Sequence, residues 1–592
     1  MLKFFLYFLV FLPFCVLAQN DQLAQNYYEK GEFEKALISY QDLYKSQPSN
    51  NLYFQRLVES HQQLEQLDQA QTLLEERFAK YKQASLLVDL GYNFQLRKLD
   101  AQAKKQYELA IDRIRANASE VYGVAASFER KTMVDYALRA YKLGAELDSR
   151  FNFNFQMAQL YGQSGDTEMM ISLYLDEALN NPNTIVMIQN QLSRFMNEEV
   201  DSGFNETLRK ALLVRAQKTQ DVFWNQFLSW YYVQQREYSK AFVQEKAIYK
   251  RNPETFYNIV NLAQLAIEED EDETATEILN FVIENTQDVE VLIASHFYLT
   301  EMRIEKASEK DYKTIETSIQ SLLAEYGVSP YSLQLQILQA QFATFNLSKP
   351  EEGIKILRAS MELALTKHQM ARVKMKLADI LLFEKKFNQA LIYYSQIEED
   401  LKNDAIGHEA SLKSAKTSYF KGDFVYAQAQ FKVLKSATSQ LIANDALEYF
   451  LLINDNTVAD STQTALKKFA NADYLLYQNK NIDALSEFKK ILENFKGNEI
   501  EAVTLLRLGQ IQEKQRDYNS ALAYYAMIIQ GHADGIYVDE ALYFSAEIYN
   551  TKLNQSEKAK EFYEKILFGH EDSIFFIDSR KEFRRLRGDA NL

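Results

Sequence analysis

The feature that most constrains this chain is a small residue that opens an amphipathic helix and returns at a fixed interval. Ala36, Ala70, Ala103 and Ala137 follow one another at 34, 33 and 34 residues. Four positions later stands a large residue: Tyr40, Tyr107 and Tyr141, with Leu74 once in their place. The clearest copy is Leu87–Ala110, where two amphipathic segments meet at the polar turn Arg97–Asp100. Leu87, Leu90, Gly91 and Phe94 share one face of the first segment; Ala103, Tyr107 and Ala110 share one face of the second. Gly91 and Ala103 are small where the helices would cross, and Tyr107 is large where a neighbouring pair needs filling. A two-helix unit cannot bury its own apolar face and must be stacked. The spacing therefore predicts an all-α solenoid of helix hairpins.

The pattern runs almost to the end of the chain. First helices carry Ala24/Tyr27, Val58/His61, Gly91/Phe94 and Ala125/Phe128, and a fifth unit, Phe151–Glu177, has Met170 at the anchor. The register is lost over Asn180–Gln220 and returns at Ala241 and Ala275. Val289–Gln369 is again irregular; Tyr312–Tyr326 and Ser332–Phe345 are amphipathic, and Pro330 and Pro350 mark breaks. This stretch is the expected place for a change of direction or a boundary between halves. Beyond it the anchors Ala390, Ala427, Ala484, Ala521 and Ala559 stand 37, 57, 37 and 38 apart, so one extra segment is expected near Ala437–Asp460. Gly531–Tyr537 is echoed by Gly569–Phe575. Asp578–Leu586 then reads as the first helix of an uncompleted repeat, a polar cap carrying Arg580, Lys581, Arg584 and Arg585. The expected division is 1–18 leader, 19–180 N-terminal array, 181–288 irregular helices plus two units, 289–370 connector, 371–460 repeat units, and 461–592 C-terminal array with its capping helix.

Lys30–Ala36 (KGEFEKA), Gln235–Ala241 (QREYSKA), Lys385–Ala390 (KKFNQA), Lys421–Ala427 (KGDFVYA) and Gln515–Ala521 (QRDYNSA) share one turn-and-helix-start pattern, and Pro48, Pro182 and Pro253 sit where repeats end. These segments resemble the tetratricopeptide repeat (TPR) family, a helix-turn-helix of 34 residues with a small and an aromatic position on each helix. The resemblance implies a right-handed superhelix whose first helices line a concave groove. It places a partner-binding groove at Tyr92, Gln95, Tyr122, Glu129, Phe155, Gln159 and Trp230. The family's carboxylate-clamp pattern is not matched: the equivalent places hold mainly Asp21, Gln25, Gln55, Glu59, Ser85 and Gln95. The longer repeats of the C-terminal half resemble the TPR arrays of bacterial periplasmic proteins that act in envelope assembly or beside the Tol system.

The chain has 592 residues, too many for one ordinary core, and only 17 Gly and 6 Pro. A formal charge of −16 argues against a general nucleic-acid binder. Met1–Ala18 reads as a secretory signal, with Lys3, the apolar run Phe4–Leu12 and Val16-Leu17-Ala18 before the cut. Cys15 is the single cysteine, so a processed chain has no thiol chemistry. No GxSxG, Walker or dinucleotide-binding motif is present, and the six histidines show no HExxH spacing. The acidic run Glu268–Glu273 lacks the glycine of an EF-hand and reads as a turn favouring the next helix N-terminus. His532 and His570 read as loop residues at helix ends, and Arg587-Gly588-Asp589 as a coincidental tripeptide. No catalytic, metal or cofactor site is expected. The expectation is a non-catalytic periplasmic scaffold of the bacterial cell envelope. Its partners are other proteins, with no nucleic acid, no small-molecule substrate, and any membrane association peripheral, through a partner. The alternatives are a permanent subunit of an outer-membrane secretion, assembly or gliding-type machine, and a cell-wall binding or metabolism protein.

Overall fold

The computed structural model describes residues 20–197, 202–219, 221–253, 256–437, 440–458 and 462–588. The leader Met1–Ala18 and Asp589 lie outside them. Among the described residues the regular structure is helical throughout, with no strand. No described helix is long and apolar enough to cross a membrane. The chain divides into two compact units, Met1–Gln217 and Lys218–Leu592.

The first unit begins with a helix over residues 20–29 and continues as hairpins. Helix Asn51–Gln63 precedes Leu67–Tyr81, Ser85–Leu96 precedes Asp100–Ala116, Val121–Arg130 precedes Val134–Leu147, and Asn154–Gln163 precedes Thr167–Asn180. The anchors Ala36, Ala70 and Ala137 are wholly buried, and Met170 takes the same place in the fifth unit. Tyr107 shows why the small positions are small. Its ring lies where a Cβ on Gly91 would have to be, and its other face meets Phe128 of the next hairpin at 5.6 Å. Gly509 and Tyr525 repeat this relation in the second unit. Hairpin turns recur with one residue in the left-handed region, among them Lys98, Arg236, Lys385 and Arg516. Over Asn180–Gln220 the helices are Ile185–Asn197 and Ser202–Lys218, without the anchor pattern.

The second unit carries the stretch 289–369 within it as four helices: Val289–Glu305, Tyr312–Tyr326, Leu333–Phe345 and Pro350–Met361. Pro350 opens its helix, where its missing N–H costs nothing. Gly353 is the anchor here: an added Cβ would strike Thr344 Oγ1 and the Ala340 carbonyl. This repeat escapes a search for alanine because glycine does the same work. Further on, the anchors Ala390, Ala427, Ala484, Ala521 and Ala559 are wholly buried. The interval of 57 is filled by the added helix Gln440–Val458, which packs on Phe424–Ala437. The last full hairpin includes a π-helical turn, Ile548–Lys552, and the final helix is Phe576–Arg587.

Candidate functional site

The added helix Gln440–Val458 interrupts the regular stacking, and it lines a cavity with its neighbours. The next helix, Thr464–Tyr477, packs on Ala405–Lys421 and also reaches the end of Lys367–Phe383. The Tyr474 hydroxyl lies 2.6 and 3.0 Å from the carbonyls of Leu382 and Phe383. Gln478 Nε2 donates to the Phe383 carbonyl at 2.6 Å, and the Tyr477 hydroxyl to that of Asp379 at 3.0 Å. The Phe383 carbonyl is one that a helix C-terminus otherwise leaves open, whereas that of Leu382 also accepts from the Lys385 N–H. These bonds join residues 91 to 98 apart in sequence.

Between these helices lies a cavity of about 840 Å³. Its apolar lining includes Phe345, Leu412, Phe420, Ile442, Tyr449 and Tyr477. Its charged lining is paired internally. Lys413 Nζ stands 2.8 Å from Asp379 and 3.3 Å from Glu409. Lys416 Nζ stands 2.9 Å from Asp445. Arg507 reaches Glu448 at 2.7 Å and Asp473 at 3.3 Å, and donates to Gln510 at 3.0 Å. Tyr394 donates to Asp379 at 2.6 Å.

Burial pulls these groups in predictable directions. Desolvation alone would lower Lys413, but Asp379 and Glu409 more than offset it. Burial raises Asp473 in spite of Arg507. On the neighbouring helix Val538–Glu547, burial together with Glu448 and Asp539 pushes Glu540 up to about 7 against the pull of Arg507. A desolvated site with its charges already paired offers no free charge to an occupant. What it offers is aromatic and aliphatic surface with a polar rim, the chemistry of a protein-binding pocket.

A second cavity of about 750 Å³ continues from the first through the shared residues Leu476, Asn479, Arg507 and Gln510. It runs along hairpin turns and is lined by Lys514, Arg516, Tyr518 and Lys552.

The residues marked from sequence fall elsewhere. Tyr92 is half-buried under Lys131, whose ammonium lies 4.8 Å from the ring centre and 2.9 Å from Asp89. Gln95 accepts from the Tyr107 hydroxyl at 2.8 Å. Tyr122 stays 52% exposed but sits edge-on to Phe151 and Phe153 at 5.6 and 5.1 Å. Glu129 faces the Tyr141 hydroxyl, and Phe155 packs edge-on to Tyr174 at 5.6 Å. Gln159 is exposed; Trp230 is half-buried and packs edge-on to Phe227 at 5.2 Å. None of the seven lines the cavities of the second unit. In the first unit a smaller cavity of about 230 Å³ is lined instead by Gln55, Glu59, Ser85, Asp89, Arg130 and Lys131. Gln95 and Glu129 stand on first helices, where the second-helix tyrosines Tyr107 and Tyr141 meet them.

His532 and His570 are the C-cap residues of helices Tyr518–Gly531 and Ser556–Gly569. Of the acidic run, Asp272 pairs with Lys306, and with Glu273 it sits in the first turn of Asp272–Asn285. Among the described residues no cluster of His, Cys, Asp or Glu is placed to hold a metal ion.

Residues 539–567 match the tetratricopeptide repeat family. No curated protein matches the chain. Among solved structures, a chain of the Naa15/Naa10 complex bound to HypK-THB is 13% identical, covers 97% of each chain and has a TM-score of 0.30. Yeast Tom70 is 13% identical over 85% of this chain and 99% of its own, also with a TM-score of 0.30. At that score neither carries fold or function to this chain. The TPR match and the hairpin stack stand on this chain's own residues.

Proposed function

We propose that this protein is a non-catalytic interaction scaffold whose second unit holds a peptide segment of a partner in the 840 Å³ cavity. The observation that carries the reading is that cavity's lining: aromatic and aliphatic walls from first helices and the added helix, with Lys413, Lys416 and Arg507 already paired. A preformed pocket needs little ordering on binding, so modest contacts suffice for affinity. The bacterial envelope is the proposed setting. The support for it is the signal-like Met1–Ala18 and the long repeats after Ala390. The partner is accordingly proposed to be an envelope protein.

The test is purification of the tagged full chain from its own cells beside an Ile442→Arg variant, which puts a long cation into the cavity's lining. The expected result is one envelope protein recovered with the native chain and lost with the variant. Equal recovery from both contradicts the reading.

A second reading, a permanent subunit of an envelope machine, is favoured by one observation. Phe568, Ile574 and Ile577 are 77, 65 and 68% exposed near the last helix. A stable complex that survives Ile442→Arg and dissociates on Ile577→Glu would support that reading over the first.

A further inference from the structure

The turns between first and second helices carry cations all along the second unit, and most of the early ones are tied down. Arg236 pairs with Glu269 and Lys306 with Asp272. Lys349 pairs with Glu316 at 3.3 Å, and Lys386 with Glu351 at 2.7 Å. Each bond links a turn to a neighbouring hairpin. After Lys386 the ladder stops. Among the described residues, Lys480, Lys514, Arg516 and Lys552 make no ion pair, although all are exposed at the corresponding turns. A cation near a helix C-terminus is favoured by the helix dipole, which accounts for a base at each turn. It does not account for the loss of every partner on one stretch.

That stretch is where the second cavity lies. Lys514, Arg516 and Lys552 all line it, and its single acidic lining residue is Glu513. Glu513 makes no ion pair with those cations: it accepts from the Tyr525 hydroxyl at 3.1 Å, and burial raises its pKa against the pull of that bond and of Lys552. In a chain of net charge −16, this is a pocket with a surplus of positive charge that runs directly into the aromatic cavity.

We propose that the occupant is an acidic polypeptide segment, with an apolar side chain in the aromatic cavity and side-chain carboxylates over Lys514, Arg516 and Lys552. This rests on the reading that the aromatic cavity takes a peptide. Electrostatic complementarity of this kind sets orientation and encounter rate more than affinity. The contacts are exposed and screened by salt, so their combined effect is about tenfold in affinity at low ionic strength.

The test is a random display library of peptides about 16 residues long. It is panned in parallel on the full chain, on the combined Lys514→Glu, Arg516→Glu, Lys552→Glu variant, and on Ile442→Arg. A triple glutamine variant at the same three positions covers any loss of folding on charge reversal, with helicity checked by circular dichroism. The native chain should select sequences that pair an aromatic with Asp or Glu. The reversed and neutralised variants should lose the acidic preference, and Glu→Gln versions of selected peptides should bind the native chain about tenfold more weakly. Selection of the same composition by all charge variants, with binding lost only in Ile442→Arg, overturns the acidic occupant and leaves the cavity reading standing. Binding unchanged in Ile442→Arg overturns both.

Discussion

Gly91 and Gly509 hold the same place in two hairpins, each under the ring of a tyrosine sixteen residues later. A methyl group at either position must push that ring against a packed neighbour. Gly91→Ala and Gly509→Ala should each cost about 1–3 kcal/mol in urea unfolding, in spite of alanine's better helix propensity. A gain in stability would mean the rings are free to move. Glu540 makes a second prediction. Its unfolded pKa is near 4.3, and in the folded chain it is pushed up to about 7. Between those values the folded chain holds a proton that the unfolded chain has released. Stability from this group is therefore present at the acid end and lost as pH rises through the window, by about 4 kcal/mol in all. Asp473, also raised by burial, slopes the same way. Glu540→Gln should flatten the dependence of the urea midpoint on pH and stabilise the protein above pH ~7; coincident curves would contradict the burial argument. At this scale the sequence was informative about packing and silent about contacts. Ala36, Ala390 and Ala521 could be read as buried from spacing alone. That Arg507 also meets Glu448, 59 residues away on the added helix, could not, because the repeat interval does not link them.

At the scale of elements, the hairpin and its turn were legible because a small-plus-aromatic pattern leaves few ways to cross two helices. Tyr312–Tyr326 was read to the residue, and Ser332–Phe345 differs from the observed Leu333–Phe345 by one position. What was missed has physical causes. Gly353 substitutes for alanine at the anchor, so a whole repeat looked irregular. No local pattern shows that second-helix tyrosines reach across to first-helix polar groups: Tyr107 takes Gln95, Tyr141 faces Glu129 and Tyr525 takes Glu513. The 57-residue interval did announce an extra segment, but not that the helix after it would reach back to Leu382 and Phe383. That return is held by few bonds. Tyr474→Phe should cost about 1 kcal/mol by removing the donor to those carbonyls. Tyr474→Ala should cost about 3–5 kcal/mol by also emptying the space beside Phe387 and Phe420. No loss in Tyr474→Phe would show that the hydroxyl contributes nothing, and equal losses in the two variants would show that the ring's packing contributes nothing.

At the scale of the whole molecule, the two units have their own hairpins and their own buried anchors. In stacked repeats, stability is close to a sum of unit and neighbour terms. A fragment of residues 218–592 should therefore be helical and unfold at a midpoint near that seen in the full chain, as followed by circular dichroism. Aggregation of the fragment would mean it depends on the first unit. The central claim belongs here too: of all the surface the repeats present, the aromatic cavity of the second unit is where a partner sits. The most direct measurement is photo-crosslinking in cells with a reactive residue at Tyr477, which lines the cavity, beside Tyr122 in the first unit and exposed Lys489. One protein captured from Tyr477 and absent from the other two sites is the predicted result. The same set of products from all three sites would contradict it.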